Sequence, residues 1–254
     1  MDIELSKQDG ILTIAFDRED KKNAITAAMY QQLADALKDA ETDVAVRAIL
    51  FTGKPKVFTA GNDLEDFLKH PPSGKDAPVF QFLAQISHAS KPIVAAVAGA
   101  AVGIGTTMLL HCDLVYAADN ARFSMPFTQL GLCPEAASSL LLPHIAGYQR
   151  AAEKLLLGEP FDATEAREMG FVNRVLTVEE LLPFARQQAA KLAALPAASI
   201  RVTKQLMKKN RVTATEQQIS IEVEHFARML VAPEAKEAFT AFLEKRKPDF
   251  SQFG

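Results

Sequence analysis

The chain has little cysteine: Cys112 and Cys133 are its only two thiols in 254 residues. Two thiols cannot build a disulfide framework or a zinc cluster, so a reducing compartment is expected. Excess charge is also lacking. A net charge of −3 and an isoelectric point near 6.0 give no support for nucleic acid or an anionic membrane as the main partner. His70, His88, His111, His144 and His225 show no metal-ligand spacing, and no metal or separate cofactor is expected. His111 sits in an apolar stretch and is expected in the core or an interface. No Gly-x-Ser-x-Gly elbow, P-loop or Cys-x-x-Cys pair occurs. Met1-Asp2-Ile3-Glu4 lacks the regions of a signal peptide, and Ser251-Gln252-Phe253-Gly254 is no retention or peroxisomal tag. A cytoplasmic protein is expected.

Residues 93–110 carry no charge and are long enough to span a bilayer. They are rich in Ala and Gly, however, and Pro92 precedes the β-branched run Ile93-Val94-Ala95-Ala96-Val97. A buried strand, a glycine turn and a buried helix fit better than a membrane span.

Strand and helix patterns alternate from the start. Ile3 and Leu5 begin a hairpin that turns at Asp9-Gly10 and returns through residues 11–16. Thr26 caps a helix with Met29, Leu33, Ala36, Leu37 and Ala40 on one face. Buried strands are predicted at 48–52, 93–97, 114–117 and 171–175. After Thr177 only helical patterns remain. Thr177 and Glu180 form a capping box for a helix running to about Leu195. Thr213 and Glu216 form a second box before a long helix to Leu230, and a last helix runs from Pro233 to near Pro248. The pattern implies an α/β core over 1–195 and a helical oligomerisation region over 196–254.

Three features carry chemistry. Val57-Phe58-Thr59-Ala60-Gly61-Asn62-Asp63-Leu64 and Gly99-Ala100-Ala101-Val102-Gly103-Ile104-Gly105 each join a strand to a helix. Such turns leave backbone N–H groups unpaired, and two converging on one oxygen make an oxyanion hole. Taken alone, the first is an ordinary capped turn, and the second matches the nucleotide loop of short-chain dehydrogenases. That rival fails because the cluster lies mid-chain, a whole α/β layer precedes it, and no tyrosine has a lysine four residues on. The third feature is Cys133-Pro134-Glu135. Pro134 suits a first helical turn, where the helix dipole would favour the carboxylate of Glu135. The functional alternative is a general base held ionised in an apolar pocket, with Phe123, Met125, Phe127, Leu130 and Leu132 nearby in sequence.

These motifs, in order with Lys91-Pro92-Ile93-Val94-Ala95-Ala96-Val97-Ala98-Gly99, His111-Cys112-Asp113-Leu114-Val115-Tyr116-Ala117 and Phe242-Leu243-Glu244-Lys245-Arg246-Lys247-Pro248, resemble the crotonase (enoyl-CoA hydratase/isomerase) superfamily. The resemblance covers nearly the whole chain. It implies a spiral of ββα units with C-terminal helices that build trimers, often paired into hexamers. It also implies that the amides of Ala60 and Ile104 hold an acyl-CoA thioester oxygen. Ala60, Gly61, Asn62, Asp63 and Leu64 would then touch CoA, with Phe242 and Lys245 contacting it from the C-terminal region. Coenzyme A enters only as part of the substrate.

The departures narrow the reaction. Family hydratases place two water-handling glutamates where this chain has Thr107 and Phe127. Glu135 falls instead at the single catalytic glutamate of the peroxisomal-type Δ3,Δ2-enoyl-CoA isomerases, and the strings around Ala60-Gly61-Asn62-Asp63-Leu64 and Pro134-Glu135-Ala136-Ala137-Ser138-Ser139 look like that subgroup. One carboxylate suffices to move a proton from C2 to C4 of a 3-enoyl-CoA, with Thr107, Phe127 and Leu130 lining the pocket and Phe127 excluding water. The alternatives are hydration, dehalogenation or thioester hydrolysis on the same enolate. A non-catalytic CoA-binding scaffold is the reading from another class.

Overall fold

A computed structural model describes residues 2–69, 72, 74 and 76–253, with Leu68 by its backbone only. Met1, His70 and Gly254, which entered the sequence reading, lie outside them. The elements in chain order are β1 (Ile3–Gln8), β2 (Ile11–Phe16), α1 (Ala27–Thr42), β3 (Ala48–Thr52), β4 (Val57–Thr59), α2 (Leu64–Lys69), α3 (Pro78–His88), β5 (Ile93–Val97), β6 (Ala100–Val102), α4 (Ile104–Thr107), β7 (Leu114–Ala118) and β8 (Arg122–Ser124). There follow α5 (Ser138–Ala146), α6 (Tyr148–Ala152), β9 (Phe161–Asp162), α7 (Ala163–Glu168), β10 (Arg174–Leu176), α8 (Val178–Ala194), α9 (Ala197–Lys208), α10 (Val212–Leu230) and α11 (Pro233–Leu243).

The strands divide between a six-stranded sheet, β1-β2-β3-β5-β7-β10, and a four-stranded sheet, β4-β6-β8-β9. Successive strands β3/β4, β5/β6 and β7/β8 place one member in each sheet, so the chain winds as repeated ββα turns. In the large sheet β2, β3, β5, β7 and β10 pair in parallel, with Ile49 opposite Ile93 and Val94 opposite Leu114. Its two faces are both covered. Ala48, Leu50, Val94 and Ala96 meet Leu181, Ala185 and Ala189 of α8, while Ile49, Phe51, Ile93 and Ala95 enter the main core with α1. Alternate side chains point to opposite faces, so burial of both explains why these strands read as unbroken apolar runs.

The hairpin, the Thr26 cap and the Thr177–Glu180 capping box form as predicted. The structure corrects four expectations. The strand expected at 171–175 begins at Arg174, because Phe171 and Val172 turn into the core beside Phe123. Thr213 does not cap α10, which starts at Val212; Glu216 is drawn away to His88. The last helix stops at Leu243, where Lys245 turns left-handed and the Arg246 N–H closes onto the Ala241 carbonyl. Helix α9 was not anticipated. It is tied to the core by Lys204, buried and bonded to Asp113 at 2.7 Å.

The helices after Thr177 therefore do not share one role. Helix α8 covers its own sheet, and α10 packs on α3, α5 and α11. Val202, Leu206 and Met207 on α9, together with Phe242 and Leu243, stay exposed. No helix among the described residues is long and apolar enough to cross a membrane.

Candidate active site

A solvent-open cleft of about 950 Å³ runs between the two strand-to-helix turns, the 126–132 loop and α11. The first turn is fixed from below by residues 22–25. Buried Asn23 donates from its amide to the Val57 and Phe58 carbonyls, and Thr59 Oγ1 donates to the Asn23 carbonyl at 2.7 Å. The Ala60 N–H donates to the Lys22 carbonyl at 3.0 Å. The Ile25 N–H bonds the Gly61 carbonyl, and the Asp63 N–H bonds the Ile25 carbonyl. That bridge leaves the Asn62 N–H pointing away from Ile25. It meets no acceptor among the described residues. The donor expected at Ala60 is thus occupied, and the free one lies at Asn62. Left-handed Gly61, at φ +88°, turns the chain over between the two amides.

The second turn starts where β6 ends. Gly103 opens α4, and the Ile104 N–H, first in the helix, has no intrahelical acceptor. The two turns are pressed together through glycine. A methyl group on Gly61 would lie 2.8 Å from the Val102 oxygen, and one on Gly105 would lie 2.5 Å from Thr59 Cγ2. Only hydrogen fits in either place. Asp63 faces the cleft, but Arg18 holds it at 2.7 Å while its other oxygen caps α2 through the Asp66 N–H. Burial would raise Asp63, yet those bonds hold it below the ordinary carboxylate range.

Glu135 approaches from the other side. It does not sit in the first turn of a helix: α5 begins only at Ser138, after Ala136 and Ala137, both left-handed. Glu135 thus lies outside the first turn in which it was expected. Glu135 is 8% exposed, and burial pushes it up to about 7. The Thr107 hydroxyl, donating to Oε1 at 2.8 Å, pulls down against that, and the Glu222 charge adds to the rise. The base expected to be held ionised is instead poised between its two forms near neutrality.

Glu135 shares a narrow inner cavity of about 40 Å³ with Asn62, walled by Phe67, Phe80, Leu83, Phe226 and Leu230. Asn62 lines both this cavity and the open cleft. Its side-chain oxygen accepts from the hydroxyl of buried Tyr30. Phe127 and Leu130 line the cleft, whereas fully buried Thr107 lines neither space and reaches the site only through Glu135. Phe123 and Met125 belong to the core, Phe123 stacking on Phe161. Phe242 forms part of the cleft wall; Lys245 does not, and the cations there are Lys21, Arg246 and Lys247.

His111 is a buried prop. Burial drops it to about 4, so the neutral ring donates from Nε2 to the Ala136 carbonyl at 2.8 Å. Burial likewise raises the Cys112 and Cys133 thiols to about 12 and 11, which keeps them from acting as thiolates. Among the described residues no three His, Cys, Asp or Glu side chains gather as a metal site. Sequence reasoning missed Asn23, Tyr30 and Glu222. Glu222 had a signal: it stands among Ile219, Val223 and Phe226 on an otherwise apolar helix face.

Residues 6–253 match the enoyl-CoA hydratase/isomerase family over almost the whole chain. The chain belongs to that crotonase family. It is 33% identical over 251 residues to the 1,2-epoxyphenylacetyl-CoA isomerase of Escherichia coli strain K12, covering 96% of each chain. It is 40% identical over 212 residues to enoyl-CoA delta isomerase 2 of Rattus norvegicus, covering 81% of this chain and 54% of the rat protein. A crystal structure of an enoyl-CoA hydratase/isomerase from Pseudoalteromonas atlantica superposes with a TM-score of 0.94 at 40% identity, covering 98% of this chain and 100% of the other. The ββα spiral is therefore the crotonase fold, and the enzyme class is acyl-CoA chemistry of the hydratase/isomerase type.

Proposed function

We propose that this crotonase shifts a double bond from C3 to C2 of an enoyl-CoA, in fatty-acid metabolism. The observation that carries the reading is that Glu135 is the one carboxylate, among the described residues, lining the inner cavity it shares with the turn whose Asn62 N–H is free. Asn62 and Ile104 donate their amides to the thioester oxygen, and negative charge moves onto that oxygen as the C2 proton leaves. Ala60 lines the hole without donating. Glu135 takes the C2 proton and returns it to C4, a shuttle that a group poised near 7 performs in both directions.

Two neighbours favour isomerisation over hydration. Water addition needs a second proton-handling group, and the positions suited to it hold Thr107 and Phe127. Thr107 is already committed to Glu135, and Phe127 presents an apolar wall. The CoA moiety occupies the cleft along Ala60, Gly61, Asn62, Asp63 and Leu64, with Phe242 at the wall and Lys245 reaching the phosphates of a CoA held by a neighbouring copy. The exposed apolar side chains of α9 and α11 support a trimer or hexamer. Incubation with 3-enoyl-CoA and 2-enoyl-CoA in parallel, following conjugation and hydration separately, tests the reading. Fast conjugation with little hydration is expected; the opposite pattern assigns the protein to the hydratases.

A further inference from the structure

We propose that Glu222 is the positioning residue of Glu135: a second buried carboxylate, on α10, that locks the left-handed turn carrying the base and keeps like charge beside it. This rests on the reading of Glu135 as the base. The turn needs a lock. Ala136 and Ala137 both sit in a backbone region that L side chains rarely adopt, and neither carries a polar side chain to hold it there. Glu222 supplies the missing acceptor. Its two oxygens take the Ala137 N–H at 2.6 Å and the Ser139 N–H at 3.1 Å, and Ser139 Oγ bonds the same carboxylate.

The polarity of that last bond is set by Gln218, whose amide donates to Ser139 Oγ at 2.8 Å, leaving the hydroxyl proton for Glu222. Glu222 thus accepts three hydrogen bonds, which suits a carboxylate at a site where burial pushes it toward the neutral form. The groups facing Glu135 are Tyr30 from α1, Thr107 from α4, neutral His111 behind Ala136, the Cys133 thiol on its own loop, and Glu222. Among them Glu222 alone brings a negative charge. Helix α10 also supplies Val223, Phe226 and Leu230 to the inner cavity, so one helix carries both that wall and the clamp on the base.

The test compares wild type with Glu222→Gln, Glu222→Asp and Ser139→Ala in two readouts. One is the pH dependence of C2-hydrogen exchange into deuterated water on 3-enoyl-CoA. The other is the carboxyl titration of Glu135 in the ligand-free protein, by isotope-edited infrared difference against Glu135→Gln. Glu222→Gln should move both midpoints to lower pH, because a repelling charge is gone. It should also lower kcat by about 10²-fold as the base loses its placement, with KM changed less than about twofold. Glu222→Asp should keep the wild-type midpoint while losing part of kcat. Ser139→Ala should shift the midpoint in the Gln direction by less. A folded Glu222→Gln with unmoved midpoints and unchanged kcat overturns the proposal, as does an unmoved Ser139→Ala should the Gln variant not fold. If wild type exchanges no hydrogen, the enolate reading fails, and the infrared titration still judges the pairing of Glu135 with Glu222.

Discussion

The two halves of the proposed site are built on opposite principles. The half around Asn62 and Ile104 is main chain, made by two strand-to-helix turns a short distance apart in the fold and pressed together through Gly61 and Gly105. Its donors are amides, so hydrogen bonding there does not depend on the chemistry of the side chains, although Ile104 is buried in the core and Asn62 accepts from Tyr30. The half around Glu135 is side chain. It stands on a loop whose backbone is held by Glu222 from α10 and by His111, while Thr107 donates to its carboxylate, all remote in sequence. A hole of this kind keeps its donors when a side chain is exchanged for one of similar shape, and is intolerant of any Cβ at two glycines. A carboxyl placed this way depends on partners brought in from distant segments, which the residues around it do not announce.

The contrast breaks most sharply at Glu135. Replacing it with Gln keeps size and removes the base, and turnover should fall by roughly 10²–10⁴-fold while CoA binding persists. Isomerisation near the wild-type rate would return Glu135 to a structural role. Next comes the main-chain half. Gly61→Ala puts a methyl group 2.8 Å from the Val102 oxygen at a left-handed position, so the turns must separate. Loss of one aligned donor should cost about 10²–10³-fold in kcat. Ile104→Val, which leaves the amide in place, should change kcat little, and a loss as large as that of Gly61→Ala would show that the side chain matters.

The props of the base titrate in a definite direction. His111 is held down to about 4 when folded, against 6.5 for a free imidazole. The unfolded chain therefore binds the extra proton first, and stability falls as pH drops from about 6.5 toward 4. The loss attributable to His111 should reach on the order of 3 kcal/mol, read as the difference between wild type and His111→Gln in denaturant titrations. The smallest effect is expected at Thr107. Thr107→Val removes the hydroxyl that favours the charged form of Glu135, so the acid limb of activity should move to higher pH. That direction is opposite to the one expected for Glu222→Gln. If both variants moved the limb the same way, the electrostatic account of the base would be wrong.

Much of this was legible in the chain. The hairpin needed only Asp9-Gly10 between apolar runs, and a Thr followed by helical spacing marked the caps at Thr26 and Thr177, though not at Thr213. The two turns and Glu135 of the proposed site were also picked out from the sequence. The N–H expected to be free at the first turn, that of Ala60, is taken by the Lys22 carbonyl from far upstream, and the free one lies two residues on at Asn62. Glu135 was found in sequence, but its state was misread. Pro134 suggests a helix start, whereas two left-handed alanines delay it to Ser138 and leave Glu135 outside the first turn.

The sequence by itself determined the order of strands and helices, the glycines at the crowded turns, and the placing of Glu135 on a chain that has Thr107 and Phe127 as its neighbours in the proposed site. These are local facts, set by side-chain period, by φ preference and by residue identity. Tertiary structure decided which amide is free, which partners grip the turn after Glu135, and that burial raises its carboxyl to about 7. Those depend on segments far apart in the chain meeting in a dry interior, where a missing or added neighbour changes the cost of charge more than any local preference can.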